Sequence, residues 1–215
     1  MKRGLFVVFE GLESSGKTTL LKEVVNVLSY IDKRYTYIAR KYFDPSFYFH
    51  RLTKEFLPIK DVTDSLQTCL RGILGFIQYY YYIKPALTEE KIVLCERYFD
   101  SILAYQGAKL LEAYPAEVRD SIQAITEVIQ ECKSLRVLLG WSEEPDIEFI
   151  IDCPVDLVLK RIKDPTQRDF LERVRAIYLF IARNFENRLV VNYEEDSSRL
   201  VNFITNYYYL VKRKI

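Results

Sequence analysis

The residues in this chain best suited to chemistry stand together near its start. Gly11-Leu12-Glu13-Ser14-Ser15-Gly16-Lys17-Thr18 fits the spacing G-x-x-x-x-G-K-[ST], the phosphate-binding P-loop. Gly11 and Gly16 allow backbone conformations and a close approach that a side chain would block. The loop's N–H groups can then cradle phosphate oxygens. Lys17 can reach the outer phosphates of a nucleotide, and the Thr18 hydroxyl can ligate Mg²⁺. Leu12, Ser14, Ser15 and Thr19 complete the stretch that would surround the phosphates of ATP. Glu13 is the odd member, because a carboxylate beside a phosphate site needs a hydroxyl or a metal to meet. Farther on, Glu96-Arg97-Tyr98 joins a carboxylate able to hold Mg²⁺ through water to a guanidinium able to grip a phosphate. The run Lys160-Arg161-Ile162-Lys163-Asp164-Pro165-Thr166-Gln167-Arg168-Asp169 is basic and contains a turn. Phosphoryl transfer depends on positioning and charge neutralisation, which a cationic lid supplies, with Arg161 and Arg168 as its candidate cations.

These residues need elements to hold them. Leu5-Phe6-Val7-Val8-Phe9 reads as a buried parallel strand, and Thr19–Leu28 has apolar side chains at helical spacing. Strand, glycine-bounded loop and helix aim backbone N–H groups and a helix N-terminus at an anion. The same alternation continues along the chain. Strands are expected at Gly4–Glu10, Tyr35–Arg40, Lys91–Cys95, Asp146–Asp152 and Arg188–Asn192. Helices are expected at Thr18–Tyr30, Ser46–Phe56, Asp64–Lys84, Asp100–Ala113, Ala116–Leu139, Val155–Ile162, Arg168–Phe185 and Ser198–Lys212. Strands alternating with helices imply βαβ units and a parallel sheet, with right-handed crossovers placing helices on both faces. The expected fold is α/β, with five parallel strands. Ligands in such sheets bind beyond the carboxyl ends of the strands. Four strand ends carry polar groups suited to phosphate or metal: Glu10, Arg40-Lys41, Glu96-Arg97 and Asp152.

The whole chain bounds the reading. Its 215 residues suit a single α/β domain. A formal net charge of +1 gives no nucleic-acid footprint over the whole surface. Lys2-Arg3 leads into an apolar stretch that stops at Glu10, too short for a secretory signal, and no segment suits a membrane span. The expectation is a cytoplasmic enzyme without a membrane partner. Cys69, Cys95, Cys132 and Cys153 are widely spaced and read as free, mostly buried thiols. His50 receives no role. A helix distributes Tyr79-Tyr80-Tyr81-Tyr82 over all its sides, so several of them must pack against neighbours or a partner subunit.

The chain resembles the thymidylate kinases among the P-loop nucleoside-monophosphate kinases. The resemblance runs through Phe9-Glu10-Gly11-Leu12-Glu13 with Gly16-Lys17-Thr18-Thr19, and through Ile83-Lys84-Pro85-Ala86-Leu87. Glu96-Arg97-Tyr98 looks like the family's Asp-Arg-Tyr, and Ser101 with Ala104-Tyr105-Gln106-Gly107 looks like its Ser and Ala-Tyr-Gln-Gly. Pro145-Asp146 with the strand to Asp152, followed by Lys160-Arg161, completes it. The resemblance implies one kinase domain over 1–215 with a lid at about 160–170. It implies transfer of phosphate from ATP, with Mg²⁺, to a deoxynucleoside monophosphate, dTMP first. It also implies a homodimer packed through helices. Lys17 and Thr18 would handle ATP phosphates and metal, with Glu96 beside them. Glu13 would meet the acceptor's sugar hydroxyl, and Arg40 and Arg97 its phosphate. Tyr105 would flank the sugar, with Ser101 and Gln106 along the acceptor pocket. Ser14 stands where some members carry an arginine, so the lid would supply the transition-state cation.

Three departures accompany the resemblance. Glu96 replaces an aspartate. The family's base-reading Phe and Arg fall on Arg71 and Gly75, leaving Arg71, or Phe76 in a shifted register, to meet the base. The lid's Asp-Arg is Gln167-Arg168. The rival readings are a deoxynucleoside kinase and a nucleotide-binding homologue impaired in catalysis.

Overall fold

A computed structural model describes residues 3–31, 37–39, 73, 75–77, 79–138 and 143–213. Arg40, His50, Cys69, Arg71, the helix expected at Ser46–Phe56 and most of the one expected at Asp64–Lys84 lie outside them. Within them, β1 (Leu5–Gly11), β2 (Tyr37–Ala39), β3 (Ile92–Glu96), β4 (Ile147–Asp152) and β5 (Arg188–Asn192) pair in parallel, in the order β2-β3-β1-β4-β5. The helices are α1 (Lys17–Ile31), α2 (Lys84–Thr88), α3 (Phe99–Leu110), α4 (Ile122–Leu138), α5 (Val155–Ile162), α6 (Arg168–Asn184) and α7 (Ser197–Arg213). The expected α/β architecture with a parallel sheet is what the described residues form.

Strand periodicity divides the core in two. Successive side chains of a strand point to opposite faces. Leu5, Val7 and Phe9 of β1, Ile92 and Leu94 of β3, and Ile147, Phe149 and Ile151 of β4 pack with α1 and α7. Phe6 and Val8 of β1, Val93 and Cys95 of β3, and Ile150 of β4 pack on the other face with α3, α4, α5 and α6. Each of the fully buried Phe6, Phe9 and Phe149 contributes about 1.5–3 kcal/mol by leaving water. The same alternation assigns polar residues at the strand ends. Glu10 falls on the α3/α6 face, as do Glu148 and Asp152, whereas Glu96 falls on the α1 face.

Two expected elements differ. Residues 115–121 form turns, and the helix expected from Ala116 begins at Ile122, where the Ser121 hydroxyl accepts the Ala124 N–H at 3.2 Å. A side-chain acceptor of this kind sets a helix N-terminus. The tyrosine run forms a π-helical turn, Tyr79–Ile83, ahead of α2, with Tyr80, Tyr81 and Tyr82 exposed. Cys95 and Cys153 are buried free thiols.

Candidate active site

The P-loop leaves β1 at Gly11, whose φ of +133° is open only to glycine. A Cβ at Gly11 would also lie 2.5 Å from the Ile151 carbonyl oxygen. Gly16 turns with φ +100° into α1. The first turn of α1 carries no acidic residue, so its N–H groups remain favourable to an anion. Lys17 is buried, and its ammonium donates to the Leu12 carbonyl and to Ser15 Oγ at 3.3 Å. A cleft of about 650 Å³ opens over the loop, lined by Glu13–Leu20 and walled by Glu96, Arg97, Arg161 and Tyr193 with two acids after it.

Glu96 reaches the loop as its strand face dictates. Thr18 Oγ1 donates to Glu96 Oε1 at 2.9 Å, which sets a hydroxyl and a carboxylate side by side at the start of α1. Arg97 follows with φ +66°, a strained conformation for a residue with a side chain. Its N–H extends the ladder to the Phe9 carbonyl at 3.0 Å while its side chain turns under α3. There Nη1 donates to Ser101 Oγ at 3.1 Å and to Tyr178 Oη at 3.5 Å, and Nη2 donates to Tyr105 Oη at 3.3 Å. Nε is buried and meets no acceptor among the described residues. Burial alone would lower the Arg97 pKa, but Tyr105, Tyr178 and Glu10 outweigh it and push the value up, so the group is a fixed cation.

Tyr105 ties these parts together. Its hydroxyl accepts the Glu13 N–H at 2.7 Å, and its ring lies 5.0 Å from the Arg97 guanidinium and 6.2 Å from Phe170 of α6. Ser101 and Gln106 are buried on α3 and do not line the cleft.

The basic run divides. Arg161, in the last turn of α5, donates from Nη1 to the Ser14 carbonyl at 2.7 Å and lies over the Tyr193 ring at 5.8 Å. Lys163 ends α5 in the left-handed region, and the Asp164 side chain accepts the Thr166 N–H at 3.1 Å to shape the following turn. Arg168 does not line the cleft. It pairs with the exposed Asp156 at 2.6 Å, a surface contact worth little.

Two of the four polar strand ends turn away from the cleft. Asp152 is held by Arg175 of α6 through two bonds of 2.6 and 2.9 Å. Glu10 is fully buried and accepts the Tyr98 N–H at 2.6 Å and the Ser101 N–H at 3.1 Å, capping α3 from a neighbouring strand. Tyr178 and the Tyr193 loop are site residues that sequence reasoning missed. Strand parity was the available signal for Glu10. Gly75 is buried at a helical position, and Phe76 stacks on Tyr80 with centroids 6.1 Å apart.

The sequence model of one protein family, Thymidylate kinase, matches residues 9–203, which include every described element of this cleft. The chain belongs to the thymidylate kinase family. It is therefore a nucleoside-monophosphate kinase, an ATP-dependent phosphotransferase. It is similar to the thymidylate kinase of Lactobacillus helveticus, with 33% identity over 80% of this chain and 75% of that protein. It is 30% identical to a probable thymidylate kinase of Pyrococcus horikoshii, covering 88% of both chains. Among solved structures, the thymidylate kinase of Ehrlichia chaffeensis superposes with a TM-score of 0.63 and 25% identity over 87% of this chain and 92% of that one. The family's reaction is the phosphorylation of dTMP to dTDP.

Proposed function

We propose that this chain transfers the γ-phosphoryl group of ATP to the phosphate of dTMP through the residues of this one cleft. The observation that carries the assignment of roles is Arg97. A buried guanidinium with an unmet N–H, on the same cleft as a P-loop, provides a second anion site beside the first. The P-loop N–H groups and Lys17 hold the donor phosphates. Arg97 holds the acceptor phosphate, and Arg161, docked on Ser14, neutralises charge on the group in transit. The acceptor phosphate is already anionic and attacks in line, so no protein base is required. Glu13 meets the acceptor sugar hydroxyl and Tyr105 flanks the sugar, while Ser101 and Gln106 build the wall behind it. Arg40, as a second phosphate cation, and Arg71, as a base contact, belong to the same proposal.

Mg²⁺ fits the residues present. Thr18 and Glu96 offer two hard oxygens 2.9 Å apart, and no group of three His, Cys, Asp or Glu among the described residues forms a cage. Mg²⁺ is typically held by one or two protein oxygens with phosphates and waters. Bound there, it would neutralise the charge of the donor phosphates.

The reading extends to one kinase domain over 1–215, residues 160–170 as lid, a cytoplasmic location and a homodimer. The exposed Tyr80, Tyr81 and Tyr82 offer aromatic surface to that dimer, which sedimentation would report as twice the 25.5 kDa chain mass. No helix among the described residues is long and apolar enough to cross a membrane. The test is ADP release from ATP and dTMP by the purified chain. Turnover is expected with Mg²⁺, lost on chelation and restored by added Mg²⁺. Turnover that persists in excess chelator would contradict the assignment of Thr18 and Glu96.

A further inference from the structure

Arg97 has five N–H donors, and the protein engages only part of them. Nη1 donates to Ser101 Oγ and Tyr178 Oη, and Nη2 donates to Tyr105 Oη. Nε and Nη2 share one edge of the planar group, and the buried Nε meets no acceptor among the described residues. That edge is the fork that binds a phosphate in bidentate fashion. Its direction depends on what grips the opposite edge.

The grip comes from Glu10. One carboxylate oxygen takes the backbone N–H groups of Tyr98 and Ser101. The other accepts the Ser101 hydroxyl and the Tyr178 hydroxyl, the latter at 3.0 Å. Both hydroxyls are placed to donate to Glu10, which anchors them on one carboxylate oxygen. Ser101 Oγ and Tyr178 Oη, which lie 3.1 Å apart, each accept from Arg97 Nη1. All four side chains are buried. Hydrogen bonds shared within a buried polar network rigidify the groups that make them. Tyr178 belongs to α6, the helix that follows the lid, and its ring meets Tyr105 edge-on at 6.4 Å.

We propose that Tyr178 is a positioning residue for the acceptor site: with Glu10 as its anchor, it fixes the Nη1 side of Arg97 and so aims the Nε–Nη2 edge at the acceptor phosphate. The inference rests on the reading that Arg97 takes that phosphate. It adds that the helix behind the lid sets the arginine's orientation.

The experiment measures kcat, the KM for dTMP, the KM for ATP and the melting temperature of wild type, Tyr178→Phe, Glu10→Gln and Arg97→Lys. Tyr178→Phe keeps the buried ring and removes one hydroxyl. It is expected to raise the dTMP KM about tenfold, as for loss of one buried hydrogen bond, and to leave the ATP KM within about twofold. Glu10→Gln keeps the shape, removes the charge and should move the dTMP KM in the same direction; it decides the matter if Tyr178→Phe does not fold. An unchanged dTMP KM in Tyr178→Phe beside a raised one in Arg97→Lys overturns the positioning role alone. So does an ATP KM that rises in step with that of dTMP, the mark of a merely structural residue. An unchanged dTMP KM in Arg97→Lys instead removes the reading beneath it.

Discussion

Arg161 and Arg168 flank the same turn, yet they meet different partners. Arg161 is bonded to the Ser14 carbonyl of the P-loop, whereas Arg168 is spent on an exposed aspartate at the protein surface. Arg161→Ala is accordingly expected to lower kcat by about 10³-fold, the lower range for a lost transition-state arginine. Arg168→Ala should leave kcat within about twofold, as for a surface pair. Steady-state rates for the two variants check both, and the reverse ranking would contradict the assignment of Arg161. On the proposed roles, Lys17→Ala should cost at least about 10²-fold in kcat, as for loss of a preorganised cation at the donor phosphates. The P-loop was legible in the sequence because its chemistry restricts residue type at fixed spacing. Tyr178 was not. It is one of 17 tyrosines, and its carboxylate partner Glu10 lies 168 positions away.

At the scale of elements, the site depends on strand ends that come close to one another. β1 and β4 approach so tightly at Gly11 that a Cβ there would meet the Ile151 carbonyl oxygen, on a backbone already at φ +133°. Gly11→Ala should cost roughly 1–3 kcal/mol and displace the loop. Thermal unfolding and ATP affinity would both report it, and an unchanged melting temperature would contradict the close approach. The alternation of strands and helices was readable from hydrophobic periodicity, and the β5 and α5 boundaries match the expectation. The roles of the strand-end acids required one more step. Parity sends Glu96 to α1, and sends Glu10 and Asp152 to the opposite face, where they brace α3 and α6 instead of a ligand. The late start of α4 has no apolar signal in the sequence, since only Ala116 and Val118 are apolar at 116–121, and the Ser121 cap decides where the helix begins.

Across the whole molecule, buried charge behind the sheet links folding to pH. Glu148 of β4 and Asp100 of α3 are almost completely buried beside Arg188, which bonds Asp100 at 3.1 Å and lies 3.9 Å from Glu148. Burial, with Asp100 and Glu10 adding to it, pushes the Glu148 carboxyl well above the ordinary range, against the pull of Arg188. Folded Glu148 therefore holds its proton more tightly than the unfolded chain does. Its contribution is fully present below the unfolded pKa and is lost as pH rises through the folded one. Wild type should accordingly lose stability across that window relative to Glu148→Gln, whose profile is expected to be flatter. Melting temperatures taken over the pH range would show it, and parallel profiles would contradict it. Arg188→Ala should cost about 3–5 kcal/mol, because it leaves the buried Asp100 carboxylate without its cation. On the proposed roles, the Arg97 site takes the phosphate of a deoxynucleoside monophosphate. The most direct measurement is ADP release from ATP with dTMP, dUMP, dCMP, dGMP and thymidine compared as acceptors. The highest kcat/KM is expected with dTMP and none above background with thymidine, which has no phosphate for Arg97. Turnover of thymidine in preference to dTMP, or no ADP with any of the five, would contradict it.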